Sequence, residues 1–84
     1  MVTVTITPEA LRQSERLPAT IRSRLRRLAI RLESWPAVSG VKPLSGKLAG
    51  RYRMRTGDYR MQFYVEGKLI VVEKIGHRDG FYED

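Results

Sequence analysis

With 84 residues, the chain is expected to form one domain over residues 1–84, because half that length buries too little apolar surface to fold alone. It has no cysteine and one histidine, which excludes disulfides and thiolate metal sites and predicts a protein without a metal or other cofactor. Sixteen basic residues against nine acidic ones give a net charge of +7, which predicts a polyanionic partner such as nucleic acid.

The first part of the chain predicts a strand and two helices. Residues 1–7 alternate Val and Ile with Thr, which is typical of a half-buried strand. Thr7 precedes a proline and is expected to cap a first helix over Pro8–Arg16. A second helix should begin at Pro18 and end before Pro36, with an apolar stripe on one side. That stripe consists of Ile21, Leu25, Leu28, Leu32 and Trp35.

The remainder of the chain predicts a loop followed by strands. Residues 37–50 are interpreted as a loop, and the β-rich segments after it are separated by two-residue turns at Gly57-Asp58 and Glu66-Gly67. The whole order predicts an α+β fold, in which an N-terminal strand and a two-helix hairpin precede a three-strand antiparallel meander. The meander strands are expected at Arg51–Arg55, Tyr59–Val65 and Leu69–Ile75.

These turns predict which side chains share a face of the sheet. The first turn pairs Arg55 with Arg60, and the second pairs Phe63 with Ile70 and Met61 with Val72. One face is then apolar and should pack on the helices; it contains Tyr52, Met54, Met61, Phe63, Ile70 and Val72. The other face, called the arginine face below, contains Arg53, Arg55, Arg60, Gln62 and Tyr64.

The arginine face predicts a phosphate-binding surface. Two like charges directly opposite each other destabilise a sheet, so folding alone does not explain Arg55 beside Arg60. A bound phosphate would explain the pair, since guanidinium groups bind phosphate through two hydrogen bonds. The alternative is that both side chains splay into solvent, where salt screens the repulsion. The arginines of the second helix are interpreted mainly as a solvent-exposed surface.

The available side chains favour metal-free cleavage of RNA. No serine lies in a nucleophile motif, and no glycine-rich phosphate loop is present. Arginines, one histidine and tyrosines remain. Attack of an RNA 2′-hydroxyl on its own phosphate needs a base, cations for the developing charge and an acid for the leaving oxygen.

The run GRYRMRTGDYRMQFYVEGKLIVVEKIGHRDGFY, residues 50–82, resembles the signature half of the RelE/ParE toxin superfamily. The shared elements are the basic Y-[RK]-x-[RK] strand, the G-[DS]-Y-R hairpin, an apolar return strand and a terminal G-H-R-x-x-x-Y. The resemblance implies a type II toxin–antitoxin toxin, an endoribonuclease that cleaves mRNA in the ribosomal A site. It also implies a cognate antitoxin as partner, and contacts to ribosomal RNA through the basic surface. No apolar run reaches membrane-spanning length and no signal peptide begins the chain, so a cytoplasmic protein without a membrane partner is expected.

The resemblance also implies roles for individual residues. In RelE-like enzymes, residues at the positions of Arg53 and Arg55 line the RNA, and those at Arg60 and Arg78 hold the scissile phosphate. Tyr82 matches the terminal tyrosine, which orients or stacks on a base.

Further residues complete the predicted site. Arg51 and Lys47 are expected to add RNA contacts, and a sister branch has a histidine near the position of His77. Because arginine is effectively never deprotonated, His77 or Tyr82 is the hypothesised proton-transfer group. Each also has a structural alternative: His77 as a solvent-exposed residue, and Tyr82 as an aromatic anchor of the tail.

Two other functions stay open at this point. One is a ParE-like inhibitor of DNA gyrase that cleaves nothing, and the other is a non-toxic RNA-binding relic. The combination of Arg60, Arg78 and Tyr82 favours the nuclease, since binding to gyrase does not need it.

Overall fold

The computed structural model describes residues 2–81 and has the predicted α+β architecture, in which two helices pack on one face of a five-stranded sheet. The sheet order is β1-β5-β4-β3-β2, with β1 parallel to β5 and every other neighbouring pair antiparallel. Within the described residues, no helix is long and apolar enough to cross a membrane. In chain order, the elements are β1 (Thr3–Ile6), α1 (Pro8–Glu15), α2 (Ala19–Arg31), β2 (Lys42–Pro43), β3 (Arg51–Thr56), β4 (Tyr59–Glu66) and β5 (Leu69–His77), with 3₁₀ turns at Leu32–Ser34 and Gly46–Leu48.

Helix α1 begins where the sequence predicts. Thr7 is extended, and its hydroxyl accepts a hydrogen bond from the backbone N–H of Ala10 at 3.1 Å. Pro8 at the first helical position lacks an N–H, so it leaves no donor unsatisfied there. The cap therefore links β1 directly to α1.

Replacing Thr7 with Ala should lower the free energy of unfolding by about 1 kcal/mol, because the N–H of Ala10 loses its partner in the protein. Urea unfolding of the two proteins measures this difference. Thr7→Ser keeps the hydroxyl and should stay close to the native stability. A Thr7→Ala protein as stable as Thr7→Ser would show that the cap contributes nothing.

The apolar stripe of α2 faces the core as predicted. Leu25, Leu28 and Leu32 are buried, while Ile21 and Trp35 at the two ends are partly buried against the same cluster. The structure therefore confirms the helical periodicity read from the sequence.

The centre of the core is aromatic and lies where the end of α2 meets the sheet. Phe63 is fully buried on β4 and stacks on Tyr52 of β3 with ring centroids 5.5 Å apart. The ring of Trp35 meets both edge-on, at 5.0 Å from Tyr52 and 5.6 Å from Phe63. These contacts fix the helices on one face of the meander.

The β3–β4 hairpin has the predicted register. Arg55 lies opposite Arg60, Met54 opposite Met61 and Arg53 opposite Gln62. In the turn, Gly57 has a φ of +57°, whereas Asp58, like every other non-glycine described residue, does not have a positive φ. A positive φ at the first turn position alone is the pattern of a type II′ turn. Glycine is required at this first turn position, and it sets the register of the arginine face.

The predicted register of the β4–β5 hairpin is wrong. The turn is Gly67-Lys68, so Phe63 lies opposite Val72 and not opposite Ile70. The reason is that Gly67, with a φ of +58°, takes the first turn position as Gly57 does. A displacement of two residues leaves each side chain on its predicted face, since the side-chain period of a strand is two.

A β-bulge then changes the pairing further along β5. Gln62 lies opposite Lys74 and Met61 opposite Ile75, which leaves Glu73 as the extra residue. The prediction that Met61 pairs with Val72 is therefore also wrong. Because the bulge adds one residue, both Glu73 and Lys74 can stand on the arginine-face side of β5.

The segment predicted as a loop contributes an edge strand. Lys42 and Pro43 form β2 and pair with Arg53 and Tyr52 of β3. An edge strand tolerates proline because one side of its backbone needs no partner. At the opposite edge, β1 pairs in parallel with β5, Val4 opposite Ile70.

Candidate functional site

The arginine face consists of side chains arranged in rows across the sheet. Arg53 of β3 lies opposite Gln62 of β4, and this row is extended by Lys42 of β2 and Lys74 of β5. Paired residues share a face, so three cations and one amide line up across four strands. This row lies next to the Arg55–Arg60 pair.

The structure places Arg55 directly opposite Arg60. Side chains at such positions have β-carbons about 4.5–5.5 Å apart, so the two guanidinium groups can reach the same ligand. Arg55 is exposed, whereas Arg60 is half-buried and donates from Nη1 to the carbonyl of Gly57 at 3.2 Å. The two guanidinium groups have no acidic partner in the described chain. Their charges are therefore available to an anion.

Arg78 lies at the same end of the sheet, beside the β3–β4 turn. Its backbone N–H donates to the carbonyl of Asp58, and its guanidinium lies 3.7 Å from the Asp58 carboxylate. Arg60 bonds the carbonyl of Gly57 in the same turn, so both arginines are attached to this hairpin turn. The Arg78 side chain is 58% exposed, so this ion pair is solvent-screened and open to exchange for a phosphate.

Arg24 of α2 also reaches this hairpin, which the sequence analysis did not find. Its Nη1 lies 4.0 Å from the position that a β-carbon on Gly57 would occupy. The helical period shows only that Arg24 lies off the apolar stripe. Nothing in the sequence signals that α2 packs against the hairpin, so the sequence analysis could not predict this proximity.

Arg51 is held by partners within the protein. Its Nε donates to Glu73 Oε2 at 3.0 Å, and its guanidinium lies 5.1 Å from the ring centroid of Tyr64. Glu73 Oε2 also accepts a hydrogen bond from Gln62 Nε2 at 2.9 Å. Gln62 is only 5% exposed, and its Oε1 is buried with no hydrogen-bond partner among the described residues. Arg51 is therefore part of a polar cluster that supports the arginine face.

His77 lies on the other face of the sheet. It pairs with Tyr59, whose ring meets the imidazole edge-on at 5.2 Å and packs against the core. Its Nδ1 accepts a hydrogen bond from the N–H of Asp79 at 3.1 Å. The same nitrogen lies 3.5 Å from the Asp79 carboxylate. The structure thus separates His77 from Arg55 and Arg60.

The end of the described chain folds across the arginine-face side of β5. Phe81 is 3% exposed and lies against Gly76, where an added β-carbon would be 3.4 Å from its ring. The Lys74 ammonium is 4.8 Å from the Phe81 ring centroid. Residues 78–81 form a turn closed by the N–H of Phe81 and the carbonyl of Arg78. Phe81 therefore anchors the turn that carries Arg78, while Tyr82 lies outside the described residues.

The loop lysines have different positions. Lys42 is in the row with Arg53, and together with Ser45 these residues line a depression of about 280 Å³ at the sheet edge. Lys47 is exposed in the 3₁₀ turn that follows β2 and belongs to no strand row. The sequence analysis selected Lys47 and not Lys42, because the pairing of β2 with β3 has no signal in so short a segment.

Comparisons with known proteins agree with this architecture. A family model described as the ParE toxin of type II toxin–antitoxin systems, parDE, matches residues 4–80. Among solved structures, the chain is similar to the RelBE2 toxin–antitoxin complex of Mycobacterium tuberculosis, with 29% identity and a TM-score of 0.79, covering 92% of this chain and 98% of that chain. No curated protein matches the chain.

Two further solved structures extend this similarity. The RelE–RelB complex of Pyrococcus horikoshii is 28% identical with a TM-score of 0.77, covering 92% of this chain and 94% of that chain. The isolated RelE toxin of E. coli is 18% identical with a TM-score of 0.76, covering 92% and 84%, which shows a common fold. The family match spans nearly the whole described chain, and the chain therefore belongs to the RelE/ParE superfamily of type II toxin–antitoxin toxins.

Proposed function

We propose that this toxin is a ribosome-dependent mRNA endonuclease that cleaves without a metal, by attack of the RNA 2′-hydroxyl on the adjacent phosphate. The products are a 2′,3′-cyclic phosphate and a 5′-hydroxyl. The supporting observation is the placement of Arg55 opposite Arg60, with Arg78 beside the same hairpin turn. Three guanidinium groups at one end of a sheet face match the charge of a phosphate that becomes more negative as it is attacked.

The cations of the arginine face would have different roles according to their positions. Arg60 and Arg78 would hold the scissile phosphate, because each is anchored to the hairpin turn through backbone atoms. Arg53 and Arg55 would bind the neighbouring phosphates and position the strand. Lys42, opposite Arg53, extends this path toward the sheet edge. Ribosomal RNA would meet the remaining basic surface, and the protein would act in the cytoplasm, where ribosomes are found.

The second candidate function is inhibition of DNA gyrase through protein contacts. The observation in its favour is the family match, whose description names the ParE toxin. A gyrase inhibitor does not need a like-charge pair on the sheet, since protein recognition does not require two opposed guanidinium groups. The nuclease accounts for this pair and is the function we put forward.

Two parallel assays distinguish these functions. Purified toxin is added to ribosomes programmed with a defined mRNA and, separately, to gyrase acting on relaxed plasmid. The nuclease predicts discrete mRNA cuts that disappear when the 2′-hydroxyl at the cut site is replaced by hydrogen, and unchanged supercoiling. Intact mRNA together with inhibited supercoiling would overturn the proposal, and inactivity in both assays would favour the non-toxic relic.

The proposed partner is a cognate antitoxin, since similar structures are toxin–antitoxin complexes. Besides the basic surface, the structure offers an open groove of about 770 Å³ between α1, α2 and β1. Its floor includes Leu25 and Ile75, and its lining includes Leu11, which is 47% exposed. Arg22 and Arg26 also line it. An apolar groove with arginines along it suits an amphipathic segment with acidic flanks.

Leu11→Asp should weaken antitoxin binding at least tenfold, because it places a charge where the groove needs an apolar side chain. Isothermal titration with the antitoxin encoded beside this toxin measures the effect. Ile30→Asp is the matched control: Ile30 is 56% exposed on α2 and does not line the groove, so its affinity should be unchanged. Equal affinities of both variants and the native toxin would exclude the groove as an antitoxin site.

A further inference from the structure

The carboxylate of Glu73 is held in a fixed orientation within the arginine-face side of the sheet. Arg51 Nε and Gln62 Nε2 both donate to the same oxygen, Oε2, at 3.0 and 2.9 Å. Within residues 2–81, Oε1 accepts no hydrogen bond, although the side chain is 21% exposed. One oxygen is therefore fixed by two donors from different strands, and the other can accept a proton from a ligand.

The β-bulge places this carboxylate among the phosphate-binding cations. Glu73 is the extra residue of β5 and contacts Gln62, which lies opposite Arg53. Arg60 is two residues before Gln62 on β4 and points to the same side, about 6.8 Å along the strand. The charged groups around Glu73 are Arg51 from β3 and its neighbour Lys74 on β5. Glu73 therefore lies on the same side of the sheet as Arg53, Arg55 and Arg60.

The arginines of this face cannot supply the base that the proposed reaction needs. Arginine is not deprotonated in proteins, so Arg53, Arg55 and Arg60 stabilise charge but cannot accept the proton. His77 lies on the opposite face and its Nδ1 is occupied by the N–H of Asp79. Carboxylates act as general bases when they are positioned next to the proton that they remove.

We propose that Glu73 is the general base of the cleavage reaction, an inference that rests on the proposed function. Oε1 removes the proton of the 2′-hydroxyl, and the 2′-oxygen forms a bond to phosphorus. The bond between phosphorus and the 5′-oxygen breaks, and its electron pair leaves with that oxygen. The leaving oxygen takes a proton from an acid, for which Tyr82 is the candidate from the sequence. Arg51 and Gln62 act through Glu73, as positioning residues that aim Oε1 outward.

The experiment is single-turnover mRNA cleavage on ribosomes by the Glu73→Gln variant. The isosteric amide keeps an acceptor for Arg51 but cannot take the proton, so the cleavage rate should fall about 100- to 10,000-fold. The amount of toxin bound to the ribosome should stay unchanged, since the cations remain. Formate should partly restore cleavage to Glu73→Ala by supplying a carboxylate.

Two controls separate catalysis from structural support. Arg51→Lys keeps the Glu73 carboxylate and a cation beside it. Its cleavage rate should fall no more than about tenfold, since only the orientation of Oε1 changes. Circular dichroism and antitoxin binding report whether each variant folds. If Glu73→Gln does not fold, Glu73→Asp takes its place. This variant retains the charge but moves the carboxylate oxygen back by one methylene, so its cleavage rate should still fall about tenfold or more.

The possible outcomes are distinct. If native toxin cleaves and folded Glu73→Gln, or Glu73→Asp in its place, cleaves at the native rate, Glu73 is only an ion-pair partner and this inference is wrong. If native toxin does not cleave mRNA on ribosomes, the proposed function itself fails.

Discussion

Arg60→Ala should reduce the rate of mRNA cleavage about 100- to 1,000-fold, the loss typical of removing one group that stabilises the developing charge. The same change should leave the free energy of unfolding unchanged or slightly raised, because it removes the like-charge pair with Arg55. Single-turnover cleavage on ribosomes and urea unfolding measure the two effects. A loss of activity without a loss of stability is the signature of a side chain retained for ligand binding.

Arg27→Ala is the matched control for this prediction. Arg27 is exposed on α2, away from the arginine face, and its removal deletes the same charge from the same protein. It should cleave at close to the native rate. Equal losses in both variants would show that only the overall positive charge matters. The double variant Arg60→Ala, Arg78→Ala should no longer arrest growth on induction, and undiminished toxicity would contradict the nuclease.

Phe63→Ala should lower the free energy of unfolding by about 3–5 kcal/mol, since it removes a fully buried ring and its contacts with Tyr52 and Trp35. A chain of this length has a total stability of about 4–13 kcal/mol at the usual value per residue. The loss therefore equals most of the stability at the lower end of this range and about a third of it at the upper end. Urea unfolding followed by Trp35, the only tryptophan, measures the change.

Phe63→Leu serves as the comparison. It keeps most of the apolar volume, so the free energy of unfolding should fall by only about 1.5 kcal/mol relative to the native protein. Antitoxin should raise the apparent stability of both variants, because a ligand that binds only the folded state shifts the equilibrium toward it. If Phe63→Ala were as stable as Phe63→Leu, the aromatic cluster would not be what holds the helices on the sheet.

Local patterns were sufficient for most of the fold. The Thr7 cap, the apolar stripe of α2 and the type II′ turn at Gly57 each depend on residues close in sequence, and the structure confirms all three. The turn alone determines that Arg55 faces Arg60, since pairing extends outward from it. The core of the arginine face was therefore predictable before any tertiary contact was known.

The errors lie where a choice between local alternatives depends on distant strands. Glu66-Gly67 and Gly67-Lys68 are both plausible two-residue turns, and the bulge at Glu73 leaves no mark in the sequence. The pairing of Lys42 with Arg53 likewise needs β3 in place first. The predicted faces are correct despite these errors. The turn displaced the register by two residues, and side chains alternate between faces with a period of two residues.

The charge, the secondary-structure elements and the shared face of the arginines follow from composition, side-chain period and one glycine turn, so they could be predicted without tertiary contacts. Which side chains lie near one another depended on the tertiary fold. His77 lies on the helix side of the sheet, Arg51 pairs with Glu73, and Arg78 lies beside the hairpin turn that Arg60 contacts. Such placements depend on strand order, on the bulge and on packing of the chain end, which are contacts between residues far apart in sequence and have no local signal.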